Sequence, residues 1–136
     1  AMKAVAVLKE GIDKGVVQPG YDSYKLLGDS YAIAGDYKNA VDAYGKASPD
    51  AKTGQVDFLR GQLLENLERH KEAQSALKQA IAKGGFKRVG AAYLTLGNTE
   101  LALKNKAAAI AAYKQAEQDP ETRADARRTL KQLGHK

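Results

Sequence analysis

Residues 24–47 constrain the fold of this chain more than any other stretch, because small and apolar residues recur there at helical spacing. Four of them share one face of a first predicted helix: Tyr24, Leu27, Gly28 and Tyr31. Three more share one face of a second helix at the i, i+4, i+7 spacing: Ala40, Tyr44 and Ala47. Two amphipathic helices joined at Ala34-Gly35-Asp36 are therefore predicted.

Gly28 is the most informative residue of this stretch. Glycine inside a helix costs about 1 kcal/mol relative to alanine, so helix propensity does not explain its presence. It is explained if the second helix crosses so closely that a Cβ atom would collide, and Ala40 is expected to supply the small partner surface. The stretch thus predicts a tightly packed helical hairpin.

The pattern recurs twice along the chain. Five residues lie 33 positions after their counterparts in the first copy: Gly61, Leu64, Ala73, Leu77 and Ala80. A third set follows, 36 positions further for the shared residues: Tyr93, Leu96, Gly97, Ala109, Tyr113 and Ala116. The second copy is degenerate, because Asp57 occupies the position of Tyr24, and Phe58 or Val56 is expected to replace its packing. The extra residues of the third spacing fall in the linker around Gly84-Gly85-Phe86, where chain length is tolerated.

This spacing resembles the tetratricopeptide repeat (TPR) signature W-x2-L-G-x2-Y…A-x3-F, with Tyr24 in place of Trp and Tyr44 in place of Phe. The resemblance implies an all-α fold, a right-handed TPR superhelix of about eight helices, in which the first helix of each repeat lines a concave groove. A single domain over residues 1–136 is predicted, with these parts: a half-repeat helix at 2–13, repeats at 21–53, 54–89 and 90–120, and a capping helix at 121–133.

The two ends of the chain are predicted to differ. Residues 2–13 repeat the spacing of a second helix, so they resemble half of a repeat whose first half is missing, and truncation from a longer protein is the preferred explanation. The final helix would cover the open end of the third repeat with Ala124, Ala126, Leu130 and Leu133. Its basic residues would face water: Arg123, Arg127, Arg128 and Lys131. Solenoids need such a polar-backed cap.

Composition excludes several functional classes. The absence of cysteine rules out disulfides and Cys-ligated zinc. The 22 basic and 16 acidic residues are interspersed, so the net charge of +6 is interpreted as a solvated surface rather than as a nucleic-acid site. No apolar run approaches the roughly 18 residues of a membrane span. No nucleophile elbow or phosphate loop is present, and His70 is expected to be solvated at a turn. No enzyme activity and no cofactor are predicted.

Function is predicted to lie in the groove that the TPR resemblance implies. Carried onto this sequence, the outward positions of the first helices give eight candidate partner-binding residues: Lys25, Asp29, Ile33, Phe58, Gln62, Asn66, Leu94 and Asn98. The amides could bond a bound backbone, since each offers donors and an acceptor, and Phe58 and Leu94 could supply apolar anchors. The alternative is that Phe58, Leu94 and Leu101 only complete packing against a neighbouring helix.

The chaperone-tail binders among TPR proteins use a two-carboxylate clamp that this sequence lacks. They carry Lys and Asn four residues apart in the first repeat, whereas here Asp29 follows Lys25 at that spacing. Leu94 and Asn98 occupy the positions of the clamp's Lys and Arg in the third repeat. An acidic EEVD-type tail is therefore not expected as the ligand.

The function predicted is a non-catalytic scaffold that binds a protein or peptide segment. The alternative is a structural module in which exposed end helices drive homo-oligomerisation. The segments KEGIDKGVV and KGGFKRVGAAYLTLGNTELAL resemble bacterial TPR proteins encoded beside TonB/ExbB/ExbD systems. That narrower resemblance implies a periplasmic protein with envelope partners, and a cytoplasmic location stays open.

Overall fold

The described part of the protein is entirely helical apart from turns. The computed structural model describes residues 5–6, 9–11 and 20–134. Residues 5–6 and 9–11 are helical, and the rest of the predicted 2–13 helix lies outside the described residues. Seven further helices follow from residue 20 onward: α1 (Tyr21–Ile33), α2 (Tyr37–Ala47), α3 (Gln55–Asn66), α4 (His70–Lys83), α5 (Val89–Ala102), α6 (Lys106–Glu117) and α7 (Arg123–Gln132). None of these helices is long and apolar enough to cross a membrane.

The helices belong to two compact units. The N-terminal unit covers residues 1–52 and contains the hairpin of α1 and α2, followed by a 3-10 turn at Ser48–Asp50. Pro49 lies in that turn, and α2 ends at Ala47 as its position predicts. The C-terminal unit covers residues 53–136, and within it each helix from α3 to α7 packs against the next one along the chain.

Each hairpin closes around a glycine of its first helix. A Cβ atom built on Gly28 would lie 2.6 Å from the ring of Tyr44. A Cβ on Gly61 would lie 2.7 Å from the side chain of Leu77, and one on Gly97 would lie 2.5 Å from the ring of Tyr113. The predicted collision is therefore confirmed, but Tyr44 rather than Ala40 supplies the nearest atoms. A side chain that crosses from the second helix fills the space that glycine leaves.

The turn inside each hairpin has one geometry in all three copies. Gly35, Glu68 and Lys104 follow the first helix with φ angles of 80°, 59° and 64°. In each copy, the N–H of the residue after this one donates to the carbonyl oxygen five residues earlier. Asp36 N–H, for example, donates to Tyr31 O at 2.9 Å. This is the Schellman arrangement, which favours glycine at the left-handed residue. Only the first hairpin has glycine there.

In the degenerate second repeat, an ion pair of the buried Asp57 stands at the position of the missing aromatic residue. Asp57 is 0% exposed, and its Oδ2 lies 2.9 Å from Nζ of Lys83 at the end of α4. Both neighbours on α3, Val56 and Phe58, are buried and supply the apolar packing. The ion pair therefore joins the first turn of α3 to the last turn of α4.

The cap helix α7 packs against α6 through buried Ala126 and Leu130, with Leu133 at the margin of the same cluster. Ala124 is exposed, so its predicted share in the cap is wrong. The basic side chains lie on the surface and are partly neutralised by nearby acids, as in the Arg127–Glu117 pair at 3.0 Å. A local cluster of counter-charges thus reduces the basic character of this end.

We expect Gly97→Leu to lower the free energy of unfolding by about 1–3 kcal/mol, because a larger side chain would displace the Tyr113 ring. Ala111→Leu, at an exposed position of α6, is the matched control and should change stability little. Urea unfolding followed by circular dichroism measures both. Equal stabilities for the two variants would contradict the proposed role of the glycine contact.

We expect Lys104→Gly to raise the free energy of unfolding by about 1 kcal/mol, since a left-handed residue with a Cβ is strained and glycine is not. Lys104→Ala removes the same side chain but keeps the strain, so it should bring no gain. Gly35→Ala should lose about 1 kcal/mol for the same reason, although its Cβ would meet no atom within 4 Å. The prediction fails if the Gly and Ala variants at position 104 unfold at the same urea concentration.

Candidate functional site

The eight predicted groove residues divide between the two units. Lys25, Asp29 and Ile33 lie on α1 of the N-terminal unit. The others lie on α3 and α5 of the C-terminal unit: Phe58, Gln62, Asn66, Leu94 and Asn98. Ile33 is 79% exposed, so it is a large apolar side chain that faces water in this structure.

Asp29 is held by two donors from within its own hairpin. Its Oδ1 accepts from the Tyr44 hydroxyl at 2.5 Å, and its Oδ2 accepts from Lys25 Nζ at 2.9 Å. The same Tyr44 ring packs over Gly28, the residue before Asp29. The aromatic ring that closes the hairpin therefore also fixes a carboxylate on the predicted binding face.

Asn98 repeats this arrangement in the third hairpin. Its Oδ1 accepts from the Tyr113 hydroxyl at 2.5 Å, and Tyr113 packs over Gly97. Asn98 is nevertheless exposed, and with its oxygen engaged, its amide group still carries two N–H donors. In the second hairpin Leu77 replaces the tyrosine, so Gln62 has no equivalent hydroxyl beside it.

Phe58 does not meet the expectation of an accessible apolar anchor. It is 2% exposed and belongs to a core cluster with Leu77, Ala91 and Leu96. Its ring stacks on Phe86 with centroids 5.6 Å apart. The packing alternative therefore describes Phe58, because its surface is already covered by residues from α4 and α5 and from the linker between them.

Leu94 and Leu101 are intermediate in exposure between core residues and fully accessible ones. Both are half-buried and pack against the cluster of Ala109, Tyr113 and Leu130 under the cap helix. They contribute to packing while leaving part of their surface accessible. Leu94 therefore keeps some of the apolar surface that the sequence predicted for the binding face.

Polar side chains link α3 to α5 beside the predicted face. The Thr99 hydroxyl donates to Glu65 Oε2 at 2.7 Å, and His70 Nδ1 lies 3.0 Å from Glu65 Oε1. The expectation that His70 is simply solvated is thus wrong, because its ring is half-buried and lies within hydrogen-bond distance of Glu65. The fully buried Thr99 satisfies its hydroxyl through this contact.

Glu100 occupies the position of a TPR tyrosine and is also buried. Its Oε1 accepts from Gln74 Nε2 at 2.6 Å and from Asn105 Nδ2 at 3.2 Å. These amides come from α4 and from the turn after α5. The carboxylate therefore replaces the ring with hydrogen bonds to two neighbouring elements.

A cleft of about 590 Å³ opens beside the first turns of α3 in the C-terminal unit. One wall consists of Thr53, Gln55, Phe58 and Leu59, and the other consists of residues 85–88 of the linker before α5. From its sequence alone, this linker is expected only to tolerate extra length. The signal that could have identified it is the sequence Phe86-Lys87-Arg88, an aromatic residue followed by two cations within the extra residues.

Among the described residues, no group of three or more His, Asp or Glu side chains could hold a metal ion. The polar side chains among the eight candidate residues are three amides, one carboxylate and one lysine, divided between the two units.

Family models of the tetratricopeptide repeat match the chain in two places, at residues 21–48 and at residues 58–124. The chain belongs to the TPR family. These matches include all three hairpins, apart from the first turn of α3, and reach the first residues of the cap helix. Proteins of this family are protein-interaction scaffolds.

Solved structures agree on the TPR solenoid fold. MamA is similar with a TM-score of 0.73 and 20% identity, over 85% of this chain and 66% of MamA, so the chain spans just under two thirds of that protein. The N-terminal domain of stress-induced protein-1 from C. elegans is similar with a TM-score of 0.68 and 16% identity, over 79% of this chain and 92% of that domain.

The first TPR domain of Spaghetti (RPAP3), bound to the HSP90 peptide SRMEEVD, is also similar. Its TM-score is 0.65 and its identity is 23%, over 82% of this chain and 90% of that domain. No curated protein sequence is significantly similar to the chain. These comparisons give no support to the narrower resemblance to proteins of TonB/ExbB/ExbD systems.

We expect stability to fall above about pH 10, because burial first, and then the hydrogen bond to Asp29 and its charge, raise the pKa of Tyr44. The folded state then keeps a proton that the unfolded state loses near the ordinary tyrosine pKa of about 10. Stability is therefore constant below that pH and declines above it by up to about 1.4 kcal/mol per pH unit for this group.

Tyr44→Phe keeps the ring over Gly28 and removes the titrating hydroxyl, so its stability should decline less steeply with pH. Asp29→Asn should keep part of the decline, since burial is the largest cause of the raised pKa. Urea unfolding between pH 8 and pH 11.5 measures the three profiles. Parallel profiles for the original protein and Tyr44→Phe would show that Tyr44 does not titrate in this way.

Proposed function

We propose that this chain is a non-catalytic scaffold that binds a protein or peptide segment on the faces of its first helices. The observation that carries the proposal is the bond from Tyr113 to Asn98. It fixes an exposed amide whose two N–H donors can bond backbone carbonyls of a partner. A side chain that is already held in place loses little conformational entropy on binding.

The remaining surface of this face supports the same conclusion. Gln62 is half-buried and Asn66 is exposed on α3, and Leu94 offers partly accessible apolar surface on α5. Amides beside apolar side chains suit an extended segment, whose backbone needs hydrogen bonds and whose side chains need contacts. None of the predicted groove residues on the C-terminal unit carries a positive charge.

The chemistry of the N-terminal unit argues against an acidic tail as the ligand. Asp29 places a carboxylate on α1, and the neighbouring Lys25 is already paired with it. The Spaghetti domain, in contrast, is similar in fold and was solved with an acidic HSP90 peptide. We therefore propose a partner of different sequence. Its place in a bacterial envelope complex would follow only from the narrower sequence resemblance.

The alternative function, self-association, has one observation in its favour. Leu26 and Ile33, one helical stripe of α1, are 56% and 79% exposed. Light scattering of the full chain and of a chain lacking residues 2–13 separates the two functions. A monomer in both cases favours partner binding, and an oligomer that needs residues 2–13 favours assembly.

Asn98→Asp is the sharpest test of the binding face. Asp29 shows that an aspartate accepts the tyrosine hydroxyl at this position of a hairpin, so the variant should keep the fold. It loses the two amide donors, and we expect about a tenfold or greater loss of partner binding, since each hydrogen bond contributes about 0.5–1.5 kcal/mol. Affinity capture with quantitative mass spectrometry measures this.

Gln115→Glu, an exposed amide on α6, is the matched control with the same change of charge. Partners retained by the original protein and by this control should be lost with Asn98→Asp. If Asn98→Asp retains the same partners in the same amounts, the proposed face is not the binding surface.

A further inference from the structure

One wall of the cleft beside α3 is formed by the linker before α5, which contains the extra residues between the second and third repeats. Of the segments that connect successive hairpins or the cap, the other two carry proline next to aspartate, at Pro49-Asp50 and at Asp119-Pro120. The linker at residues 84–88 instead reads Gly-Gly-Phe-Lys-Arg. An insertion with its own composition, placed on a surface, is a feature of loops that carry function.

The linker is held in a defined position against α3. Gly84 and Gly85 have φ angles of 61° and 72°, which only glycine adopts without strain. Gly54 N–H donates to Gly84 O at 2.8 Å, and a Cβ on Gly85 would lie 3.2 Å from Thr53 Cγ2. The two walls of the cleft are thereby fixed relative to each other before any ligand binds.

The interior of the cleft is apolar and aromatic. The Phe58 ring stacks on Phe86 at 5.6 Å between centroids, and Cζ of Arg88 lies 5.6 Å from the Phe58 centroid. Leu59 adds aliphatic surface to the same wall. The Phe58 ring is itself 2% exposed, so the apolar surface open to a ligand belongs to the half-buried Phe86 and Leu59. A large apolar side chain that covers this surface removes it from water, which is favourable.

The charges that line the cleft are both positive. Lys87 is exposed and makes no ion pair with any described residue, and Arg88 pairs with Glu121 at 3.4 Å. Both members of that pair are more than half exposed, so the contact is weak and a better placed anion can replace it. The lining of the cleft therefore combines apolar side chains with two cations.

We propose that this cleft binds a protein segment in which a large apolar side chain stands next to an aspartate or glutamate. The apolar side chain would lie against the accessible surface of Phe86 and Leu59, and the carboxylate would pair with Lys87 and Arg88. This inference rests on the proposed function as a protein-binding scaffold and adds a second, chemically distinct contact region. The complementary charge sets the partner's chemistry.

The test is a titration of the full chain, labelled with 15N, with blocked hexapeptides. The first probe is Ac-Gly-Ser-Phe-Asp-Ser-Gly-NH2, and two others replace its Phe by Ala or its Asp by Asn. A fourth probe, Ac-Gly-Ser-Phe with a free carboxylate, presents a chain terminus instead of an acidic side chain. Chemical shifts of the amides of residues 53–59 and 85–88 report binding to the cleft.

We expect the first peptide to shift these amides, and the Ala and Asn peptides to bind at least fivefold more weakly. The double variant Lys87→Gln/Arg88→Gln should weaken the first peptide by at least tenfold. Lys78→Gln/Lys114→Gln, at exposed positions of α4 and α6, lowers the net charge equally and should leave the affinity unchanged. All four substitutions are on the surface, so the spectra should show intact folds.

Three results would overturn the proposal: no shift at millimolar peptide, equal weakening by both double variants, or binding of the free-carboxylate peptide alone. Shifts confined to α5 around Asn98 would overturn the cleft and leave the proposed binding face intact. Conversely, partners unaffected by Asn98→Asp would contradict the binding face, whatever the peptides do at the cleft.

Discussion

The contact between a helical glycine and one side chain of the following helix closes each of the three hairpins that the structure describes. At Gly28 and Gly97 the incoming side chain is a tyrosine, whose ring occupies the space where a Cβ would lie. A ring at this position is long enough for its hydroxyl to reach the residue after the glycine, Asp29 or Asn98. Packing inside the hairpin and the orientation of a polar group on its surface therefore depend on the same residue.

The second hairpin shows what happens when that residue changes. Leu77 fills the space beside Gly61 but has no hydroxyl, so the following Gln62 is not fixed from within the hairpin. An ion pair between the buried Asp57 and the partly exposed Lys83 holds the other end of the helices together instead. Burying the Asp57 carboxylate is costly unless it is paired, so the stability of this hairpin depends on Lys83 as well. The hairpin keeps its packing and loses the orientation of its surface amide.

The hairpins were predictable from sequence because the signals that specify them are local. The spacing of Gly28 and Tyr44, and its recurrence, depends only on helical periodicity and on a close crossing of neighbouring helices. The sequence left Phe58 open between packing and binding, because its stacking partner, Phe86, lies in a linker with no periodic pattern. The burial of Asp57 could not be predicted for a similar reason, since its partner lies at the far end of the next helix. The left-handed backbone at Lys104 could be predicted only from the repeat, because Lys104 lies at the position that Gly35 has in the first hairpin.

Because the cleft and part of the proposed binding face both lie along α3, the distance between these two contact regions can be estimated from the helix. Gln55 lines the cleft and Gln62 lies two turns further along the same helix. With a rise of about 1.5 Å per residue, these positions are roughly 10 Å apart along the helix axis. An extended segment covers that distance with about three residues. A single short segment can therefore reach both regions, and the second contact would form at the high effective concentration set by the first. Specificity would then come from the combination of an apolar-acidic pair with backbone hydrogen bonds at a fixed distance, rather than from either contact alone.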